Sequence, residues 1–408
     1  MKGDFSRLPF ARGDRFTSVR QQQGRITLDS DWNEQASIRE HLERSYLEDV
    51  FGRAACSSDD SFAVAWHGQT LYLSAGLLYV GGFRCRLAHD VPLEALLGAS
   101  IAPAQGRMDL VYVNVWERHV TAIDDPTIRE VALGGPDTTT RLIATWRIEL
   151  LRDVQASCSK ASGLMPHPSD GIMRARTPAG YHGVDNQLYR VEIHDSGTAA
   201  NATFKWSRDN ASIVFPIAAF LNSTSLSLTA GSEEGSSLAV GDWVEVSGVE
   251  CELAGTAGTL AQVTEIQDDV CVLDRDVSRH GSEAHPRVRR WDQRDGPTLE
   301  LARQWIELEA GIQIEFSEGH YRTGDYWTIP ARPPTGSIEW PEDRPPDGIE
   351  RRFAPLALLT WDRVARTWKP SIQDCRRVFV PLTDLYAELT RLREEVSELR
   401  KHADALPR

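Results

Sequence analysis

The feature that most constrains the fold of this chain is a set of short segments in which apolar and polar residues alternate. This alternation is typical of strands with one buried face, because successive side chains of a strand point to opposite sides. Gly, Asp, Asn and Pro separate the segments, and these residues favour turns. We therefore predict a mainly β, antiparallel body of sandwich or barrel character. The clearest segments are residues 111–116, 141–150, 188–194, 313–316 and 325–329.

A second set of strand-like runs predicts a small inserted β-barrel over residues 223–277. Four or five short runs follow one another between Ser225 and Arg275, at a spacing of roughly 8–12 residues. Farther on, the stretch from Pro330 to Pro346 holds six prolines and is too stiff for the interior of a sheet. We expect it to be a connector on the surface. The two predicted parts of the β-rich body are residues 56–222 and 278–380.

The first 55 residues are predicted to form an extended polar arm followed by a helix. Asp31 and Glu34 are spaced like a capping box, so we expect the helix to begin near Ser30. We expect it to end near Gly52. Apolar residues recur every four positions between these points: Ile38, Leu42, Tyr46 and Val50.

Residues 381–408 carry a narrow apolar line with the spacing of a heptad repeat. Leu occupies every d position, whereas a helix packed on its own body usually has a wider apolar stripe. We predict a C-terminal coiled-coil helix for self-association, with a helix lying on its own domain as the alternative. The line consists of Leu382, Leu385, Leu389, Leu392, Val396, Leu399, Ala403 and Leu406. The flanking charges at positions g and e, which pair between parallel helices, are Glu388, Glu395, Arg393 and Arg400.

Composition weighs against several classes of function. The 408 residues carry a net charge of −14, which opposes binding to a nucleic-acid backbone. No apolar run reaches the roughly 18 residues of a membrane span, and the first residues lack the apolar core of a secretory signal. We therefore expect a cytoplasmic protein. Six cysteines without CxxC spacing indicate reduced thiols rather than a disulfide framework or a zinc site: Cys56, Cys85, Cys158, Cys251, Cys271 and Cys375.

Two strand-like segments invite a catalytic or metal-binding interpretation. In WERHVTAIDDP, Glu117 and His119 would share one face of a strand. Asp124 and Asp125 precede a proline there, which is an ordinary turn composition. The segment LYRVEIHDSG places three polar residues opposite its apolar face: Arg190, Glu192 and His194.

Neither segment reaches the three or four ligands that a metal site needs. The chain contains no GxSxG, P-loop or GxGxxG motif either. We therefore predict no catalytic residue, no cofactor and no metal, and we interpret both segments as solvated or interface-facing strands with paired charges. Tryptophans beside charged residues fit a sugar platform, an interface anchor or a core edge: Trp32, Trp116, Trp206, Trp291 and Trp340.

Several longer stretches resemble one family of unknown biochemical function. They are MKGDFSR with QQGRITLDSDWNEQ, VWERHVTAIDDPTIREVALGGPDTTTR, NQLYRVEIHDSG with ATFKWSRDN, and GHYRTGDYWTIPAR. The resemblance runs from Met1 to about Val380 and leaves out the heptad tail. Members of this family are typically encoded beside phage-tail-like contractile injection systems. The resemblance thus implies a structural or accessory component of such a particle, and it brings no catalytic residues with it.

The resemblance and the tail together favour a homo-oligomeric protein that is baseplate-proximal, fibre-like or a surface adaptor. Parts around a tail axis commonly repeat in threes or sixes, so we favour a trimer over a dimer, although the residues at the a positions fit either. Other proteins of the particle are the expected partners, with assembly in the cytoplasm and release by lysis. An extended arm must lie against something to be ordered. The predicted docking residues are Phe5, Phe10, Phe16 and Trp32.

Two other functions stay open. Exposed tryptophans would suit a receptor- or glycan-binding module of the same kind of particle. A cell-wall hydrolase is the third reading, and it would require Glu117 or His119 to act in catalysis.

Overall fold

The computed structural model describes residues 1–8, 16–166, 168–229, 237–301, 304–341, 343–364 and 367–404. Within this part the chain is mainly β and its named strands pair antiparallel, as the alternating segments predicted. None of the described helices combines the length and the apolarity that a membrane span requires. The described α-helices are α1 (Asp29–Phe51), α2 (Leu93–Leu97), α3 (Cys158–Ala161), α4 (Val249–Ala254) and α5 (Leu382–Asp404).

The strands are numbered in chain order. Those before residue 200 are β1 (Ala54–Cys56), β2 (Val64–His67), β3 (Thr70–Leu73), β4 (Gly76–Val80), β5 (Phe83–Leu87), β6 (Val91–Pro92), β7 (Met108–Val120), β8 (Arg141–Leu151), β9 (Met173–Arg176), β10 (Gln187–Ile193) and β11 (Gly197–Thr198). Those from residue 200 to 300 are β12 (Thr203–Ser207), β13 (Val214–Phe220), β14 (Ser225–Leu228), β15 (Trp243–Ser247), β16 (Thr259–Gln267), β17 (Val270–Leu273), β18 (Arg287–Trp291) and β19 (Leu299–Glu300). The remaining ones are β20 (Ile306–Glu307), β21 (Gln313–Phe316), β22 (His320–Tyr321), β23 (Tyr326–Arg332), β24 (Ser337–Ile338), β25 (Arg352–Val364) and β26 (Thr367–Asp374).

The chain forms two compact units. The first unit consists of Met1–Leu42, Trp116–Thr145 and His167–Arg351, and the second of Glu43–Val115, Trp146–Pro166 and Arg352–Arg408.

The first unit contains a five-stranded sheet with the order β19-β12-β10-β23-β24. Tyr189, Val191 and Ile193 on β10 are buried and pack with Phe204 and Trp327, so the predicted apolar face is confirmed. The smaller sheet β20-β21-β9 contributes residues to the same core.

The first unit also contains a closed barrel with the strand order β13-β14-β17-β16-β15-β18. Its interior is apolar, with Leu226 and Val244 completely buried. The barrel is larger than the predicted one, because β13 and β18 lie outside residues 223–277. Neither strand alternates cleanly between apolar and polar residues: β13 contains Pro216, and β18 reads RVRRW.

The second unit is built on the four-stranded sheet β26-β25-β7-β8 and two three-stranded sheets, β1-β4-β5 and β2-β3-β6. Val111, Val113 and Val115 of β7 are buried in its core, as their alternation predicted. Tyr112, on the opposite face of β7, is buried in a second cluster with Leu358. Both faces of this part of β7 are therefore covered.

A disulfide joins Cys158 of α3 to Cys375, which follows β26. The two Cα atoms are 4.9 Å apart, within the usual range for such a bond. The expectation that all six cysteines are reduced thiols is therefore wrong for this pair. The residues are 217 positions apart, so no spacing motif marks them. The free cysteines are all buried: Cys56, Cys85, Cys251 and Cys271.

Helix α1 confirms the predicted helix between Ser30 and Gly52. The carboxylate of Asp31 accepts a hydrogen bond from the N–H of Leu28 at 3.3 Å. Asp31 thus takes the role predicted for Glu34, the residue that reaches back in a capping box, and the box lies three residues earlier than the spacing of Asp31 and Glu34 predicted. The carboxylate of Asp29 accepts from the N–H of Ser6 at 2.9 Å. This bond ties the arm to the first turn of α1.

The proline-rich stretch does not lie wholly on the surface. Pro330 is buried within β23, opposite Leu188 of β10, so the expectation of a surface connector is wrong for this residue. The carbonyl of Leu188 accepts a hydrogen bond from the N–H of Asn210 at 2.8 Å instead. Pro330 has no N–H to donate, but the carbonyl of Leu188 still has a hydrogen-bond partner.

Candidate functional site

Helix α5 presents the predicted heptad line to solvent. The carbonyl of Pro381 accepts from the N–H groups of Asp384 and Leu385, which closes the first turn. The described side chains of the line are between 39% and 69% exposed: Leu385, Leu389, Leu392, Val396 and Leu399. A helix lying on its own domain would bury this line. Within the described residues the tail is not packed in that way.

The charged flanks of the line are exposed as well. In the single chain Glu395 pairs with Arg391, one turn earlier, at 3.7 Å. Such a surface pair contributes only about 0.3–0.5 kcal/mol, so Glu395 can exchange it for a partner on another helix. The predicted flanking residues that are exposed are Glu388, Arg393, Glu395 and Arg400. The other three heptad positions lie outside the described part of the chain. For Leu382 and Ala403 this applies to the side chain, and for Leu406 to the whole residue.

The predicted docking residues of the arm have different surroundings. Phe5 packs beside Leu8, Leu188 and Tyr326 in the first unit. Docking of the arm to another protein stays a prediction, but Phe5 is already engaged by its own chain. Phe16 is 48% exposed and Trp32 is 71% exposed. Phe10 lies outside the described residues.

The first residues of the arm are held by their backbone. Arg190 donates to the carbonyl of Met1 at 3.0 Å, and the side-chain amide of Asn210 donates to the carbonyl of Gly3 at 2.9 Å. The N–H of Gly3 donates back to the carbonyl of Asn210 at 3.3 Å. The side chain of Lys2 reaches Glu192 at 2.9 Å. The arm is therefore docked on the sheet of its own unit.

Lys2 belongs to a buried network of charged side chains. The ammonium of Lys205 lies 2.6 Å from a carboxylate oxygen of Glu245 and 3.4 Å from one of Glu192. The indole N–H of Trp291 donates to Glu245 at 3.1 Å. These residues stand on β10, β12, β15 and β18, so the network joins the sheet, the barrel and the arm within the first unit.

The predicted polar face of β10 belongs to this network. Arg190, Glu192 and His194 are all buried, so the solvated alternative is wrong for this face. The predicted pairing of charges is confirmed, because Arg190 and Glu192 lie 2.7 Å apart. Cationic and anionic side chains from other elements cover this face. Lys205 and Glu245 were not predicted, although Lys205 stands between two aromatic residues in a strand-like run, where a buried cation needs an anionic partner.

The electrostatics of the network favour its charged state. Burial by itself raises the pKa of Glu192, but Lys2 and Arg190 hold it well below its ordinary value. Burial also opposes ionisation of Glu245, yet Lys205 and Lys2 lower its pKa to about 2. A general acid or base needs a pKa near the working pH. Glu192 and Glu245 therefore suit a structural role, holding strands together through ion pairs, better than a role in proton transfer.

The two aspartates of WERHVTAIDDP are engaged in structural contacts. Asp124 pairs with Arg287 at 2.9 Å and with Arg118 at 3.3 Å. The side chain of Asp125 accepts from the N–H of Thr127 and caps a short 3-10 helix, so the turn interpretation is confirmed for this part of the chain.

His119 packs beside the aromatic ring of Phe5. Its ring lies 6.1 Å from that of Phe5, measured between centroids. Burial lowers its pKa well below the ordinary value. A neutral imidazole packed against an aromatic ring fits a structural histidine.

Most tryptophans beside charged residues are buried. Trp116, Trp206 and Trp291 are each less than a tenth exposed and cannot act as glycan platforms without unfolding. Trp340 is half-buried. Trp32 is the member of this group that offers its ring to solvent.

The comparisons with known proteins agree with a family of unknown function. No curated protein and no solved structure matches the chain. The profile of one family, described as a family of unknown function (DUF6519), matches residues 1–164 and 160–357. These matches cover most of the two units and end before α5. The chain therefore belongs to the DUF6519 family.

Proposed function

We propose that this protein is a structural or accessory component of a contractile, phage-tail-like injection particle, and that α5 joins copies of it into a homo-oligomer. The single observation that carries the self-association is the exposed heptad line on α5. The motifs quoted above, which resemble proteins encoded beside such particles, support the assignment to a particle.

The occupant of the heptad line is a second copy of the same helix. The 23 residues of α5 span about 35 Å, which is roughly three heptads. In a parallel pair, Glu388 of one copy faces Arg393 of the next, and Glu395 faces Arg400. The apolar line and its charged edges thus complement themselves. A trimer suits the threefold or sixfold symmetry of a tail axis.

Charge placed in the line tests this proposal. We expect the double variant Leu392→Asp, Leu399→Asp to lower the mass measured by light scattering to that of one chain, because two carboxylates would be buried without partners. The β signal in circular dichroism should stay unchanged, since neither side chain belongs to a core.

The matched control is Thr390→Asp with Ser397→Asp, which adds the same charge on the outer face of α5. This control should keep the mass of the oligomer. If the wild-type protein already has the mass of one chain at micromolar concentration, or if the seam variant keeps the oligomer mass, self-association through α5 is excluded.

The particle assignment needs its own experiment. We expect an affinity-tagged chain, expressed from its native locus, to co-purify with sheath and tube proteins. The seam variant should be depleted from the same particles at least several-fold. Recovery of the tagged chain without any such protein would refute the assignment and leave the oligomer result standing.

One observation favours a second function. The exposed ring of Trp32 would suit a glycan-binding module. In that case Trp32→Ala should abolish binding of the isolated protein to cell-surface polysaccharide, whereas Trp340→Ala should not. Absence of polysaccharide binding by the wild type would discard this alternative.

A further inference from the structure

Three side chains of types that bind metal ions meet in the connections between strands of the barrel. Cys251 lies on α4, in the connection between β15 and β16, while His280 and Glu283 lie in the connection between β17 and β18. Their ligating atoms are all within 4.8 Å of one another. Cys251 and His280 are buried, and the side chain of Glu283 is 14% exposed.

The distances among these atoms are close to those of a coordination shell. The Sγ of Cys251 lies 3.9 Å from Nδ1 of His280 and 3.5 Å from each carboxylate oxygen of Glu283. Zinc bonds of about 2.0–2.3 Å in a tetrahedron place ligand atoms roughly 3.3–3.8 Å apart. The Nδ1 to Oε1 distance of 2.8 Å is a hydrogen bond. A metal ion bound to both atoms would replace it and move them apart to about 3.3 Å.

The arrangement does not fit a nucleophile relay. In a Cys–His–carboxylate relay, the thiol and the carboxylate contact opposite nitrogens of the imidazole. Here both approach Nδ1. Three donors that converge on one point are the geometry of chelation.

Neighbouring groups hold the ligands in place. The hydroxyl of Thr259 lies 2.8 Å from Nε2 of His280, so Nε2–H can donate to it and leave Nδ1 for a metal. The N–H of Gly248 donates to Glu283 at 2.6 Å. A Cβ on Gly248 would come within 2.5 Å of the Glu283 Cβ, so this approach requires glycine. In this structure Arg279 donates to Nε2 at 3.0 Å, which makes Nε2 an acceptor. The exposed side chain of Arg279 would have to turn away on loading, before Nε2–H could donate to Thr259.

The ligand types select the class of metal. A thiolate and an imidazole favour zinc-like transition metals over Mg²⁺ or Ca²⁺, which take oxygen ligands. We propose that Cys251, His280 and Glu283 bind one divalent ion of the zinc class, with water at the fourth position. The ion would tie α4 to the connection between β17 and β18 and neutralise a buried thiolate beside a carboxylate. A thiol gives up its proton when it binds a metal ion, so loading weakens in acid.

Cobalt titration tests the site in the full-length protein. After treatment with a chelator and dialysis, we expect one Co²⁺ per chain with a thiolate-to-cobalt charge-transfer band, and displacement of that band by Zn²⁺. The variant Cys251→Ser should lose the band, and its affinity for Zn²⁺ should fall more than about 100-fold. Thr259→Val removes only the supporting hydrogen bond and should weaken affinity by about 10–100-fold.

The matched control is Cys271→Ala, which removes a buried thiol from the same barrel and should keep the band. Circular dichroism checks that each variant is folded, and Glu283→Gln replaces Cys251→Ser if the latter does not fold. Binding of less than one Co²⁺ per ten wild-type chains would overturn the proposal. So would a band of equal strength in the folded Cys251→Ser variant.

Discussion

At the scale of single residues, the buried ammonium of Lys205 shows how charge is accommodated in the first unit. Lys205 is 2% exposed and lies between the carboxylates of Glu245 and Glu192. Its ammonium also lies 4.5 Å from the centre of the Trp291 ring. Removing one partner of a buried pair is costly because the other charge stays buried.

We therefore expect Lys205→Met to lower the free energy of unfolding by about 3–5 kcal/mol, since Glu245 loses its closest cation. Urea denaturation followed by circular dichroism would measure the change. Lys160→Met, at an exposed lysine, serves as control and should change stability by less than about 0.5 kcal/mol. A Lys205 variant within about 1 kcal/mol of the wild type would show that the network contributes little to stability.

His194 should make the protein less stable in mild acid. Burial, reinforced by Lys205, lowers its pKa to about 4, whereas an unfolded chain has a histidine pKa near 6.5. Between these values the unfolded state binds more protons, so stability falls as the pH falls from about 6.5 to 4.

The variant His194→Gln keeps a hydrogen-bond acceptor and should reduce this loss by about 1–3 kcal/mol. Urea denaturation at pH 7, 5.5 and 4 would measure it. His119 and His280 also have lowered pKa values, so part of the pH dependence should remain. Identical pH profiles for variant and wild type would contradict the assignment to His194.

The sequence predicts whether a residue lies on a polar or an apolar face, but not which part of the chain covers that face. The face of β10 that carries Glu192 was recognised as polar, but a polar face looks the same whether water or an oppositely charged strand covers it. Phe5 was recognised as an apolar anchor. Its engagement by its own chain depends on Leu188 and Tyr326, which are far away in sequence.

At the scale of elements, the strands were predictable and their closure into sheets was not. Period-two alternation marked β7, β10 and most of the barrel. It missed β13 and β18 because a proline and buried arginines interrupt the apolar pattern. Pairing over long sequence distances, such as β13 with β18, leaves no local signal. The disulfide between Cys158 and Cys375 is hidden for the same reason.

That disulfide should contribute measurably to the second unit. It closes a loop of 217 residues, and a native disulfide typically contributes about 2–4 kcal/mol. We expect Cys375→Ser, paired with Cys158→Ser to avoid a free thiol, to lower thermal stability under oxidising conditions. A reductant should destabilise the wild type to the same level and leave the double variant unchanged. Equal melting temperatures of wild type and variant without reductant would argue against the bond.

At the scale of the whole molecule, both the family match and the exposure of side chains set α5 apart from the body. The DUF6519 match ends at residue 357, within β25, and the remainder of β25 together with β26 completes the sheet of the second unit. Phe379 still packs against that unit, with its ring centre 4.4 Å from that of Phe51. Beyond Pro381 the described side chains are exposed. The tail is thus separable from the folded body.

A chain that ends after Pro381 should therefore keep the melting temperature of the wild-type body to within about 2 °C, because no described core residue is removed. It should also lose the oligomer mass in light scattering. A chain that ends after Asp374 is the matched comparison: it loses Cys375 and Phe379 and should melt at a lower temperature. Loss of folding in the longer truncation would show that α5 stabilises the body.

The docked arm has a further consequence for biosynthesis. Ser6 accepts a hydrogen bond from Arg332, 326 positions later, at 2.9 Å, and Lys2 pairs with Glu192. A ribosome adds about 5–20 residues per second, so tens of seconds pass between synthesis of the arm and synthesis of the residues that bind it. Contacts of such long sequence separation also slow refolding, because closing a long loop costs entropy. Docking of the amino-terminal residues therefore follows synthesis of most of the chain. A nascent chain halted before residue 332 would leave the arm undocked and expose to chaperones and proteases the charged surface that binds it.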